Sequence, residues 1–209
     1  MKRTALKDFR NVNRSGIIAL NLNDGDRLIG VVWTRGDDHV LLATAKGMAI
    51  RFDENDARVM GRVAAGVKGI DLSSGDRVVG LVRAEPGTDL LTVTQNGYGK
   101  RTDLDDYLVQ AEDGSRPQSR GGKGRIDIKT SGRNGEVVAI RRVTDIDGLM
   151  FMTSSGMLVR TSAGSVSRLG RNTQGVRVVR LRDDDRLIDC ATTPADEDEQ
   201  QITTEGADE

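Results

Sequence analysis

Aromatic side chains make up only 3% of the 209 residues, proline occurs three times, and histidine and cysteine once each. Any core must therefore be aliphatic. The single cysteine, Cys190, excludes an internal disulfide and a cysteine-rich zinc site, and it fits a reducing compartment. No apolar run approaches the length that crosses a membrane, and the opening "MKRTALKDFR" has no apolar leader segment. These absences point to a cytoplasmic chain with no membrane partner. What is abundant is glycine: 25 residues, scattered as turn punctuation rather than massed in a polymer.

The formal net charge of −1 hides an asymmetry. Residues 195–209, "ADEDEQQITTEGADE", hold seven of the 32 acids and no base. The remaining 25 acids face 31 bases, so residues 1–194 carry a surplus of six positive charges. A basic body with an acidic tail suggests a polyanionic partner and a tail that competes with it. The tail has almost no apolar groups, so it is expected to stay disordered.

Internal repetition organises the body. One phrase recurs as "GMAIRF" at Gly47, "GYGKRT" at Gly97 and "GMLVRT" at Gly156, and the chain opens inside it with "MKRT". Arg3, Arg51, Arg101 and Arg160 correspond. A second phrase is "GIIAL", "GVKGI", "GRIDI" and "GVRVV", beginning at Gly16, Gly66, Gly124 and Gly175. A third is "DRLIG", "DRVVG", "GEVVA" and "DRLID"; a fourth is "HVLLATAKG", "DLLTVTQNG" and "GLMFMTSSG". Each phrase is short, β-branched and ended by turn residues, so each reads as a strand. Helical periodicity is weak throughout, and the best helical candidate, Asp53 to Met60, spans only about two turns. Four strands per unit of about 50 residues predict an all-β fold of radially arranged blades. The repeats run approximately 1–47, 48–97, 98–156 and 157–194, with 195–209 as tail. The third is longer, across "LVQAEDGSRPQ".

An arginine loop precedes the second phrase in three repeats: "GRVAAG", "SRGGKG" and "GRNTQG". Arg62, Arg120 and Arg171 each sit four residues before the strand-opening glycine. The richest copy lies within "QSRGGKG", Gln118 to Gly124. It lacks the spacing of a Walker loop, and no helix follows as a dinucleotide fingerprint requires. It resembles the signature box of the C-terminal domain of DNA gyrase A, Q-R-R-G-G-K/R-G, with Ser119 as a departure. "TQNGYGKRT", "RNTQGV" and "GDRLIGV" resemble blade phrases of the same domain. The resemblance covers nearly the whole chain before the tail.

That resemblance implies a β-pinwheel of blades that exchange strands, wrapping duplex DNA around a basic rim. It also implies an accessory role beside the rest of gyrase A and gyrase B in an ATP-dependent type IIA topoisomerase that introduces negative supercoils. The related topoisomerase IV domain and a propeller-like protein scaffold are the alternatives. The box lies in the third of four repeats, and four blades are fewer than the family's usual six or so. The chain is therefore expected to be shortened, with Gln118–Gly124 a later-blade copy.

The physical case for DNA rests on one cation-bearing loop per blade, which can meet successive phosphates. Arg120 and Lys123 supply charge, and Gly121, Gly122 and Gly124 would let backbone N–H groups approach phosphate. Arg116 and Arg125 flank the loop. Lys68 and Arg177 lie two residues after Gly66 and Gly175. Arg62, Arg171, Lys100 and Arg101 complete the expected set. The competing reading is of ordinary solvated cations guarding strand edges. No catalytic residue, metal site, cofactor or small-molecule substrate is expected. His39 reads as a surface turn, Cys190 as a buried strand thiol, Trp33 as an edge residue, and Tyr107 with its counterpart Phe9 as packing.

Overall fold

The computed structural model describes residues 1–112, 114–182 and 184–194. The acidic stretch 195–209 lies outside the described residues. In chain order the strands are β1 (His39–Thr44), β2 (Met48–Asp53), β3 (Val78–Ala84), β4 (Asp89–Thr94), β5 (Tyr98–Asp103), β6 (Val109–Ala111) and β7 (Gly114–Arg116). They continue with β8 (Arg125–Ile126), β9 (Val137–Val143), β10 (Gly148–Thr153), β11 (Leu158–Ser162), β12 (Val176–Arg177) and β13 (Leu187–Thr193).

The phrases of one repeat do not form one sheet. The first complete sheet has the order β3-β1-β2-β8, the second β9-β4-β5-β12, and the third is β13-β10-β11. Each four-stranded sheet is built on a hairpin of the fourth and first phrases. It takes an inner strand from the third phrase that follows, and its outermost strand from the second phrase of the repeat after that. Chain from three repeats is therefore needed for one sheet. The strands β3, β9 and β13 pack successively against one another and form the inside.

The hairpin turns explain the recurring T-x-x-G. The amides of Gly47, Gly97 and Gly156 each donate to the carbonyl of Thr44, Thr94 and Thr153, at 3.0 Å in all three. All three glycines have positive φ, between 77° and 83°. The register against the inner strand slips at the same place in every sheet, at Ala43/Thr44, Val93/Thr94 and Met152/Thr153. The best helical candidate, Asp53 to Met60, holds only a 3-10 turn, Glu54–Asp56, capped by the Asp53 carboxylate. The chain then turns extended at Ala57, and Val59 bridges to Arg3. Pairing with another repeat overrides helix extension.

The aliphatic core lies between sheets. Leu41, Leu90, Leu104, Val137 and Ile140 fill the space between the first and second sheets. Leu91, Leu149, Phe151, Val166 and Leu187 do so between the second and third. The extra length of the third repeat forms the separate hairpin β6-β7. The second and third phrases of the first repeat are not strands, and Ile18, Val31 and Trp33 are exposed there. In later units the third phrase pairs with a preceding fourth phrase, and no such phrase precedes Asp26 among the described residues.

One ion pair is wholly buried at a junction of two sheets. The Lys100 ammonium, in β5, stands 3.7 Å from the Asp127 carboxylate just beyond β8, and neither side chain is exposed. Lys100 also donates to Thr102 Oγ1 at 2.8 Å and to the carbonyls of Gly170 and Arg171. Asp127 accepts from Thr92 Oγ1 at 2.9 Å and from the Tyr107 hydroxyl at 2.6 Å. Burial pushes the Asp127 carboxyl up and the Lys100 ammonium down, and each partner opposes the other's shift.

Asp127→Ala strands a buried cation and should cost about 3–5 kcal/mol in urea unfolding, with Lys100→Met in the same chain recovering most of it. A loss below about 1 kcal/mol would show that the pair is not a determinant of the junction. Cys190 is buried, and burial pushes its thiol up to about 12. The native chain should therefore resist a thiol-specific disulfide reagent at pH near 8 and react once denatured.

Candidate nucleic-acid interface

The second phrases of the third and fourth repeats, β8 and β12, form the outer edges of the two four-stranded sheets, and an arginine loop runs just before each. Each loop arginine reaches back to the preceding second phrase. The Arg62 guanidinium donates to the carbonyl of Ile18 at 2.9 Å, Arg120 to Lys68 at 2.9 Å, and Arg171 to Ile126 at 3.1 Å. The acceptor is in every case two residues after the strand-opening glycine. Arg120 is further held by the carbonyl of Asp56 at 2.7 Å. These side chains tie successive outer segments into one belt. A guanidinium has five N–H groups, so this leaves donors free to face solvent.

The glycines of "GGKG" serve the same stitching. Gly124 has a φ of +74°, and a Cβ there would lie 2.3 Å from the Ala49 carbonyl of the neighbouring first phrase. Gly175 stands in the same relation to Gly99, at 2.7 Å. The Gly121 amide is spent on the Gly69 carbonyl at 2.7 Å, and the Gly122 carbonyl accepts from Asp71 N at 2.8 Å. The expectation that Gly121 would offer its N–H to phosphate is corrected: that donor closes the contact between outer segments.

The remaining expected residues divide by burial. Arg116, at the end of β7, and Lys123 are exposed, and neither side chain makes a hydrogen bond or ion pair among the described residues. Arg177, in β12, is exposed. Lys68 is exposed and pairs with Asp71 at 2.9 Å, a contact that holds the Asp71 carboxyl below its usual range. Arg125 is half-buried and donates to the Leu108 carbonyl. Lys100 and Arg101 leave the set. Lys100 belongs to the buried junction described above. Arg101 is 6% exposed, bonds the Val166 carbonyl at 2.9 Å and pairs with Asp145 and Asp89. Its counterparts make similar clamps: Arg51 to Leu104 and Asp105, Arg3 to Glu54 and Asn55. The first-phrase arginines clamp one repeat to the next.

Arg133, Arg182 and Arg186 were not in the expected set, although all three are exposed. They precede third-phrase strands; Arg186 falls inside the recurring third phrase, whereas Arg133 and Arg182 have no basic counterpart in the other repeats. The residues set aside on sequence behave differently. His39 begins β1 and accepts from Arg51 Nε at 3.3 Å; burial and the adjacent guanidinium lower its imidazole's affinity for a proton. Tyr107 is a core residue, and burial with the Asp127 charge raises its phenol far up. Trp33 is 73% exposed, more than an edge residue partly covered by neighbours would be.

The molecule presents an outer belt of backbone edges, stitched by arginines and studded with free cations. Comparison with known proteins agrees with this architecture. A family model described as "DNA gyrase C-terminal domain, beta-propeller" matches residues 1–32, 38–85, 88–111, 116–144 and 149–194. The DNA gyrase A protein of Salmonella typhimurium is 45% identical over 201 residues, covering 95% of this chain and 22% of that protein. That of Clostridium acetobutylicum is 46% identical over 200 residues, covering 96% and 23%. The chain thus spans less than a quarter of the length of these relatives. A solved DNA gyrase A C-terminal domain superposes with a TM-score of 0.73 at 30% identity, covering 86% of this chain and 58% of that one. The C-terminal domain of DNA topoisomerase IV superposes with a TM-score of 0.83 at 23% identity, covering 100% and 64%, a likeness of fold. The sheets of exchanged strands, the arginine belt and the family match together place this chain in the DNA gyrase C-terminal domain family.

Proposed function

We propose that the chain binds duplex DNA through its phosphates, with little regard to sequence, and bends it along the belt of outer strands. The observation that carries this reading is the placement of exposed cations. Lys68, Lys123 and Arg177 stand in or beside three successive outer segments, and Arg116 lies next to the second. A duplex following such a belt exchanges condensed counterions for fixed charges at each sheet. No α-helix that could enter the major groove stands among the described residues, whose helices are four 3-10 turns of at most four residues. Exposed aliphatic side chains such as Ile126 and Val176 also lie on the belt, and exposed cations stand in or beside the same segments. The relatives' name supports the same partner.

In this reading the domain is a non-catalytic accessory of an ATP-dependent type IIA topoisomerase. It works with the rest of gyrase A and with gyrase B in the cytoplasm, uses no cofactor or small-molecule substrate, and presents a bent segment for negative supercoiling. No helix among the described residues is long and apolar enough to cross a membrane.

Arg116→Ala with Lys123→Ala removes two exposed charges whose side chains make no hydrogen bond or ion pair among the described residues. Fluorescence anisotropy with unrelated duplexes should show equal losses for each, and the log affinity against log salt should flatten by about 1.8. An unchanged slope would move the interface off this belt. The clips are tested separately. Arg171→Lys keeps the charge but loses the fork, so it should lower stability by about 1–2 kcal/mol while DNA affinity stays near the parent's. A large loss of affinity with intact stability would make Arg171 a phosphate contact first.

A further inference from the structure

In the first complete sheet the pair at the outer edge is apolar: Met48 in β2 faces Ile126 in β8. In the second sheet the corresponding pair is Tyr98 facing Arg177. A second arginine joins it. Arg133 stands four residues before Val137, where the sister sheet has Ser74 four residues before Val78. Its guanidinium carbon is 5.0 Å from the centre of the Tyr98 ring, and that of Arg177 is 5.5 Å away. Both also donate to the Tyr98 hydroxyl, Arg133 Nε at 3.3 Å and Arg177 Nη2 at 3.2 Å.

Two cations are thus brought to one ring, and neither forms an ion pair among the described residues. The ring's π face offsets part of their repulsion, since each cation–π contact contributes about 0.5–1 kcal/mol at an exposed site. The hydrogen bonds from Arg133 and then Arg177 pull the Tyr98 phenol below its ordinary value, a mark of the positive field. The cluster opens on a depression of about 380 Å³, across which stand Arg182 and Arg186. Two carboxylates share the lining. Asp185 is buried and already engaged, accepting from Ser154 Oγ at 2.7 Å and Ser155 Oγ at 2.8 Å. Asp184 is exposed. Among the described residues, four guanidiniums and two carboxylates line the hollow.

We infer that Tyr98, Arg133 and Arg177 form a preorganised phosphate anchor on the second sheet, which takes a backbone phosphodiester of the DNA that follows the belt. The inference rests on the proposed DNA binding and deepens it. Arg177 lies in an outermost strand, directly after an arginine loop, so the hollow opens on the proposed path. Guanidinium forks match the oxygens of a phosphate better than ammonium groups do. The ring holds both forks before the ligand arrives, which reduces the side-chain entropy lost on binding. The first sheet, with Met48 and Ile126, has no such anchor, so the duplex is gripped unevenly along the belt.

The sister sheet supplies a fold-compatible test. Tyr98→Met, Arg133→Ser and Arg177→Ile together graft the residues of the first sheet onto the second. Circular dichroism and urea unfolding should show the fold retained. If the triple variant does not fold, Arg133→Ser alone changes an exposed turn residue whose side chain contacts the Tyr98 ring and hydroxyl, and carries half of the effect. Anisotropy with a duplex of about 40 base pairs should show the salt slope flattened by about 1.8 for the graft, at 0.9 per contact, or by about 0.9 for Arg133→Ser. Over a fourfold rise in salt, the lost pair of contacts is worth about tenfold in affinity. Pyrophosphate should compete more weakly with DNA for the graft than for the parent. An unchanged slope in the graft, with a flattened slope in the Arg116/Lys123 variant, would overturn the anchor and leave DNA binding standing. Unchanged slopes in both would overturn the DNA reading itself. Pyrophosphate binding lost in the graft with DNA affinity intact would make the hollow a site for free phosphates and overturn the anchor.

Discussion

The interaction on which the architecture depends is a hydrogen bond from a loop guanidinium to a carbonyl two residues into the preceding outer segment. It occurs three times, from Arg62, Arg120 and Arg171, with the same offset. An outer strand such as β8 or β12 pairs through only two residues, too few to hold a free-standing edge. The clip supplies a second attachment from the other side. Hydrogen bonds from charged donors are worth about 1.5–3 kcal/mol where solvent does not compete, and less for these half-exposed side chains. The first-phrase arginines add a further set, bonded to the 3-10 turns of the next repeat. Because every sheet draws on three repeats, such links transmit order along the whole chain.

The same residue types do opposite work according to depth. Lys100 and Lys123 are 23 residues apart. The first is sealed with Asp127 inside a sheet junction, and the second stands in solvent with no bonded partner among the described residues. Arg101 is locked by a carbonyl and two carboxylates, whereas Arg177 is stacked on a phenol ring and open. The surplus of positive charge in residues 1–194 is therefore not spread evenly. Buried cations such as Lys100, Arg51 and Arg101 are each paired with a carboxylate, and exposed ones such as Lys123 and Arg177 stand in or beside the outer strands, where a polyanion can reach them.

Repetition also permits divergence. All sheets share the T-x-x-G turn and the register slip before the inner strand's start, because both are backbone requirements. Side chains at the outer edge are free of that constraint. The exchange of Met48 and Ile126 for Tyr98 and Arg177 keeps the cross-strand pairing while altering its chemistry completely. A repeat fold can in this way place a specialised contact on one blade without disturbing the others.

The all-β class, the four phrases, the turns and the position of the arginine loops were legible in the residues alone. Alternation, turn glycines and recurrence near 50 residues are local properties, and the box-like "QSRGGKG" carried the family. The partition of cations was not legible. Lys100 and Arg101 sit in a phrase that reads like its neighbours, and only the approach of Asp127 and Asp145 from later in the same repeat, and of Val166 from the next, engages them. The glycines of the box invited a reading as phosphate-binding amides. The tertiary structure shows one amide donated to Gly69 and one missing Cβ demanded by the Ala49 carbonyl. Arg133 and Tyr98 meet across 35 residues for the same reason. A sequence repeat determines which segments are able to form strands. Strand exchange determines which repeats touch, and so which charges are neutralised inside and which remain outside for a ligand.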